Sequence, residues 1–158
     1  MEINLRYLCE KGARIFGVDL SDRAYAERLD YELELIERKG FSDYFYLVAD
    51  MIHFAKTKMI VGPGRGSSAG SLVCYLLGIT TIDPLKFNLL FERFIDANRS
   101  DLPDIDSDFS DERRALVFKY MSDKYGEERV ARLGTVGYFQ PKSAVKQIGK
   151  VLDVPKWQ

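Results

Sequence analysis

The sequence predicts an α+β domain, on three observations. Apolar residues recur at spacings of three and four from Asp22 to Lys56. A β-like run, Met59-Ile60-Val61, feeds a glycine-serine turn and then a helix. Asp104 to Phe109 alternates acidic and apolar residues, as a half-buried strand does. A chain of 158 residues with 46% apolar and 30% charged residues fits one globular domain able to bury a core without disulfides.

In order along the chain, Tyr25, Leu29, Leu33 and Ile36 form the apolar stripe of a helix from Asp22 to Lys39, ended by Gly40. Ser42 caps a second helix to about Lys56, striped by Phe45, Val48, Ile52 and Ala55. The lone His53 and the run Tyr44-Phe45-Tyr46 read as core and helix surface rather than a binding box. Leu72 to Leu77 is the body of a helix ended by Gly78. Asp83-Pro84 opens another, with Asp as N-cap and Pro at the first helical position; Leu85, Leu89 and Phe91 to Phe94 supply its apolar side. After the strand at 104–109, a helix runs from Ser110 or Asp111 to Tyr125, stopped by Gly126. Val130 to Val136 is a weaker strand candidate, and Ser143 to Val151 a last helix.

Net charge is −1, without the basic excess that nucleic-acid partners usually require. The charges are unevenly spread: acids cluster between Asp101 and Glu112, while Arg129, Arg132, Lys142, Lys146 and Lys150 make the last third locally basic. Cys9 and Cys74 have no CxxC partner and read as buried thiols. No apolar stretch reaches bilayer length and Met1-Glu2-Ile3 does not open a secretory signal, so a cytoplasmic protein with no membrane partner is expected.

Two constellations carry chemistry. In the first, Gly62, Gly64, Gly66 and Gly70 lie within nine residues ahead of a helix. Such a backbone can approach a bulky anion, and N–H groups at the helix N-terminus with Arg65, Ser67, Ser68 and Ser71 suit phosphate oxygens. The turn is neither a P-loop, which needs Lys-Ser/Thr, nor the GxGxxG of dinucleotide folds; alone it is either an anion site or a tight structural loop. In the second, Asp104 and Asp106, two apart on a strand, can converge on Mg²⁺ or Mn²⁺, with Asp108 next along. The other reading is an acidic edge strand in solvent. A calcium loop is excluded, because Phe109 and Ala115 stand where it needs Gly and Glu. A phosphate cradle with an Asp-x-Asp strand is the set that nucleotidyl transfer asks for.

These residues carry a resemblance. Leu29 to Lys56 (LDYELELIERKGFSDYFYLVADMIHFAK), Val61 to Ser71 (VGPGRGSSAGS), Leu76 to Phe94 (LLGITTIDPLKFNLLFERF), Leu102 to Phe109 (LPDIDSDF) and Gly134 to Leu152 together resemble the bacterial replicative family C DNA polymerases, the DNA polymerase III alpha subunits. The resemblance implies a DNA polymerase beta-like nucleotidyltransferase palm, an incomplete mixed sheet with flanking helices, over residues 1–135, and the beginning of a thumb over 136–158. It implies that Gly66 and Ser67, with Arg65, touch the triphosphate of an incoming deoxynucleotide. Asp104 and Asp106 would be catalytic metal ligands for two Mg²⁺, with Mn²⁺ as a substitute, and Lys142 and Lys146 would meet DNA phosphates. Implied partners are primer-template DNA, deoxynucleoside triphosphates and the remainder of a polymerase chain. Ser107, where the family has an aliphatic residue, and Tyr138-Phe139-Gln140-Pro141 depart from the pattern. The family's third catalytic aspartate lies beyond Gln158, so the isolated chain is expected to be inactive and to self-associate through an open sheet edge. The alternative is a noncatalytic nucleotide- or nucleic-acid-binding module.

Overall fold

The computed structural model describes residues 4–98 and 101–155. The outermost residues of both expected domains, 1–3 and 156–158, lie outside it.

Among the described residues six α-helices carry the architecture: α1 (Leu5–Phe16), α2 (Arg23–Arg38), α3 (Ser42–Lys56), α4 (Leu72–Leu76), α5 (Arg114–Tyr125) and α6 (Pro141–Val151). Local chemistry sets most of their ends. Asn4 and Asp22 cap α1 and α2 by accepting from the Tyr7 and Ala24 amides at 2.9 and 2.8 Å. Gly40, at φ +70°, takes the left-handed turn after α2 and sends Phe41 back to donate to the Ile36 carbonyl at 3.0 Å. The first turn of α3 differs from expectation: Phe41 holds the cap position, Ser42 is the first helical residue, and no side chain caps it.

The core is helical. Leu5, Cys9 and Ala13 of α1, Leu29, Leu33 and Ile36 of α2, and Phe45, Val48 and Ile52 of α3 bury against Leu72, Val73 and Leu76 of α4 and the segment Phe91 to Ile95. Buried side chains of this size stabilise by about 1.5–3 kcal/mol each before the entropy of ordering is subtracted. Gly12 is what lets α1 come so close, since a Cβ there would overlap the Leu76 carbonyl oxygen. Cys9 and Cys74 are fully buried free thiols, as expected. Burial pushes Cys9 up to about 12 and Cys74 upward as well.

α5 docks on α3 through a second cluster. Val117 and Met121 bury with Ala55, and Phe54 stacks on Tyr120 with ring centroids 3.9 Å apart. Asp50 accepts from Tyr120 Oη at 3.0 Å, Tyr125 Oη at 2.9 Å and Lys124 Nζ at 2.6 Å. Burial alone would raise the Asp50 carboxyl, but these donors outweigh it and hold its pKa below the ordinary value. Met121 is the last buried residue among those described; α6 has none, and its Val145, Ile148 and Val151 are exposed.

The expected mixed sheet is not there, and the palm built on it is corrected with it. Among the described residues the strand-like pairing consists of two isolated antiparallel bridges, Val61 with Phe109 and Arg65 with Asp106. Between them stand Pro63, which has no amide to donate, and Gly64 at φ +84°; just beyond is Gly66 at φ +71°. The pairing therefore cannot propagate into a ladder. Val130 to Val136 forms no strand either, and the self-association expected through an open sheet edge has no sheet to work through. Residues 84–88 form a turn rather than a helix. Asp83 accepts from the Leu85 and Lys86 amides as a cap would, but Leu89 closes back onto the Pro84 carbonyl at 2.8 Å and Asn88 takes φ +51°.

Candidate functional site

The two sequence constellations meet. The Gly62 amide donates to the Asp108 carbonyl at 3.0 Å, and the Arg65–Asp106 bridge lays the glycine-serine turn along the acidic segment. From this register the Arg65 guanidinium reaches Asp106 at 3.5 Å and Asp108 at 3.3 Å. Gly66 lies so close that a Cβ there would stand 3.0 Å from an Asp106 carboxylate oxygen. At its positive φ, a side chain would also strain the backbone.

Asp104 lies at the edge of a cleft of about 420 Å³ beside this contact. Ser67, Glu92, Arg93, Asp96, Asp101 and Asp104 supply its polar lining, with Phe94, Ile95, Leu102 and Pro103 the rest. Ser67 and Asp104 thus open onto one cavity, while Asp106 faces Arg65 and Gly66 and does not line it. The Tyr44 hydroxyl fixes the entry to the acidic segment by donating to the Pro103 carbonyl at 2.9 Å. Lys142 and Lys146 stand on α6 and do not line the cleft.

Not every residue of the turn is available to a ligand. Ser68 is buried and donates to the Arg65 carbonyl at 3.0 Å, closing the 3-10 turn Gly66–Gly70 from inside. Ser71 is buried too: it accepts from the Cys74 amide at 3.1 Å and donates to Glu32 at 2.8 Å. The start of α4, expected to offer free N–H groups, is already occupied, because the Leu72 and Val73 amides donate to Glu32 at 2.9 and 3.0 Å. The groups that face outward are Arg65, Gly66 and Ser67.

Sequence reading missed Glu32 and Arg28. Glu32 has no exposed surface, yet it sits on the apolar stripe of α2 between Leu29 and Leu33. An acid inside such a stripe, with an arginine four residues before it, is the signal that could have found the pair. Arg28 donates to Glu32 at 2.6 Å, to the Gly70 carbonyl at 2.6 Å and to the Leu89 carbonyl at 3.0 Å. Burial pushes the Glu32 carboxyl up, against hydrogen bonds from Val73, Leu72 and Arg28 that pull it down. All its neighbours donate, which is the arrangement an ionised carboxylate needs.

Comparison with known proteins matches the same segments. Residues 3–158 match the family described as the bacterial DNA polymerase III alpha NTPase domain. DNA polymerase III subunit alpha of Staphylococcus epidermidis is 55% identical over 135 residues, which cover 85% of this chain and 13% of that protein. The subunit of the same name in Staphylococcus aureus is 53% identical over 136 residues, again 85% of this chain and 13% of the relative. The chain therefore spans about 13% of the length of the relatives it matches. The matched region is described as an NTPase domain, which does not support its assignment as a palm fragment. No helix among the described residues is long and apolar enough to cross a membrane. With the glycine-serine turn and the acidic segment joined in one site and nearly the whole chain matched, this protein belongs to the bacterial DNA polymerase III alpha family.

Proposed function

We propose that this chain carries part of the nucleotide-binding and metal-binding site of a DNA-directed DNA polymerase. In this reading Gly66 and Ser67, assisted by Arg65, meet the triphosphate of an incoming deoxynucleotide, and Asp104 and Asp106 hold Mg²⁺ or Mn²⁺. The observation that carries it is the contact of Arg65 and Gly66 with Asp106, which brings an anion-suited turn against one carboxylate of the Asp-x-Asp segment from a distant part of the chain.

The donor set fits the metal. Mg²⁺ is usually held by one or two carboxylates, with water and substrate phosphates completing its shell. Here Asp104 is exposed and Asp106 partly so, and no group of three His, Cys, Asp or Glu converges among the described residues. A pair that leaves most coordination positions to water and triphosphate makes a weak site, filled together with substrate. When bound, the metals would neutralise triphosphate charge and activate an attacking primer hydroxyl.

The chain's own residues do the rest. Arg65 balances Asp106 and Asp108 through contacts of 3.3–3.5 Å that water can reach. A cation arriving at Asp106 would free the guanidinium to turn onto phosphate oxygens, for which its forked donors are suited. Gly66 keeps the backbone bare where the anion approaches. Lys142 and Lys146, on a helix with no buried residue, would contact DNA phosphates. Buried residues among those described end at Met121 and only exposed ones follow Val130 up to Ser143, so the packed body ends ahead of 135; primer-template DNA and the remainder of the polymerase chain are its partners in this reading.

Titration of the chain with dATP in MgCl₂ tests this reading. Gly66→Val should weaken binding at least tenfold, on the order of 1.4 kcal/mol or more. Equal affinity in the two proteins would remove the turn as the phosphate site. Binding that is independent of Mg²⁺ would favour the noncatalytic module.

A further inference from the structure

We infer that Glu32, braced by Arg28, is a positioning residue for the nucleotide-contacting turn: it grips the exit of the turn from α2 and thereby fixes Gly66 and Ser67. The inference rests on the reading of Gly66 and Ser67 as triphosphate contacts.

The grip covers four consecutive residues. Glu32 takes Ser71 Oγ, the Leu72 amide and the Val73 amide, all within 3.0 Å, and Arg28 takes the Gly70 carbonyl at 2.6 Å. The same guanidinium holds the Leu89 carbonyl, so the turn is clamped between α2 and the segment at Leu89 and Leu90. Gly70 lies in that clamp with no room for a side chain, since a Cβ there would be 2.7 Å from the Leu90 carbonyl oxygen. From the clamped end the hold passes back along the turn. The Ser71 amide donates to the Ser68 carbonyl at 3.1 Å, and Ser68 Oγ donates to the Arg65 carbonyl at 3.0 Å.

Capping alone does not account for Glu32. Ser71 caps α4 at the Cys74 amide and leaves the Leu72 and Val73 amides to Glu32, a need that a neutral acceptor would also meet. A buried acid costs desolvation that a neutral cap avoids. What Glu32 adds is a rigid tie between the packed face of α2 and the exit of a glycine-rich turn whose entrance is held by the Arg65–Asp106 bridge.

Hydrogen exchange read segment by segment on the full 158-residue chain tests the tie, using Glu32→Gln and the milder Ser71→Ala. In Glu32→Gln an NH₂ group replaces one acceptor and faces donors on either side. Exchange across residues 64–71 should quicken tenfold or more in both variants, while α1 and α3 change less than twofold. Should Glu32→Gln fail to fold, Ser71→Ala decides alone. Unchanged exchange in the turn, or equal quickening in the turn, α1 and α3, would overturn the inference, the latter showing a residue that stabilises the whole fold without positioning the turn. A parallel titration with dATP and Mg²⁺ should show at least tenfold weaker binding by the variants. Absence of dATP binding by the parent chain would overturn the triphosphate reading instead, with the exchange comparison still deciding the role of Glu32.

Discussion

Two arginine–carboxylate clusters stand at either end of the Gly66–Gly70 turn, and they are built for opposite purposes. At the exit, Arg28 and Glu32 meet at 2.6 Å with side chains 20% and 0% exposed, and every polar contact around the carboxylate is made. At the entrance, Arg65 meets Asp106 and Asp108 at 3.5 and 3.3 Å, and the three side chains are 61%, 37% and 59% exposed. The first cluster has no water to fall back on, so breaking it leaves a buried charge. The second is hydrated and screened, so its partners exchange at little cost. Order at one end and exchangeability at the other are what a turn needs if it is to hold still while its charged face trades an arginine for a metal and a triphosphate.

The contrast predicts the largest loss at the buried end. Glu32→Ala takes the carboxylate from Arg28, which keeps only the Gly70 and Leu89 carbonyls, leaves the Leu72 and Val73 amides unpaired, and should lower stability by about 3–5 kcal/mol in urea unfolding. A loss under about 1 kcal/mol would mean that water fills the gap and that the two clusters are more alike than their burial suggests.

Asp50 is an intermediate case, with a side chain 17% exposed and three donors. Asp50→Ala should cost roughly 1.5–3 kcal/mol, as hydrogen bonds to a charged group do, and loosen α5 first. The same carboxylate gives the comparison a pH axis. Its folded pKa is depressed below the ordinary 3.8, so its contribution is fully present above that value and is lost as pH falls through the lower folded value. Stability measured from pH 5 down to pH 2 should therefore fall less steeply in Asp50→Ala than in the parent chain. Parallel curves would show that another group carries the acid sensitivity.

The smallest stability effect belongs to the exposed cluster. Arg65→Gln should change unfolding free energy by no more than about 1 kcal/mol. The same change should weaken dATP binding roughly tenfold, the loss of one charge-assisted contact. A variant much less stable than the parent would show that the arginine is a structural member rather than an exchangeable one.

How far the sequence could be read follows from what its patterns report. Stripes of apolar residues gave α2 and α3 nearly to the residue, because burial of one helix face is local in sequence. The same signal could not find Glu32, since a search for apolar stripes passes over the acid that one of them carries. Alternation from Asp104 to Phe109 reported which side chains face inward, but it is silent on pairing. The partner segment contains Pro63 and two glycines at positive φ, and only two bridges form. The alternation thus foretold a strand where only isolated bridges form, and the mixed sheet, which the family resemblance implied, is absent among the described residues. At Asp83-Pro84 the capping signal was real and the helix was not, because Asn88 at positive φ turns the chain away after one turn. In the candidate site, the composition of the turn and the Asp-x-Asp segment was legible, while their contact was not. Nor could residue types alone show that Ser68 and Ser71 face inward and leave Ser67 to the cleft.

The central claim, that the turn and the acidic segment form one metal- and nucleotide-binding site, is tested most directly by Mn²⁺ titration of the isotope-labelled chain. Paramagnetic broadening is predicted at Asp104 to Asp106 and, because the segments touch, at Gly66 and Ser67 as well. Both sets should lose it in Asp104→Asn/Asp106→Asn. Broadening that spares Gly66 and Ser67, or that survives in the double variant, would contradict the account.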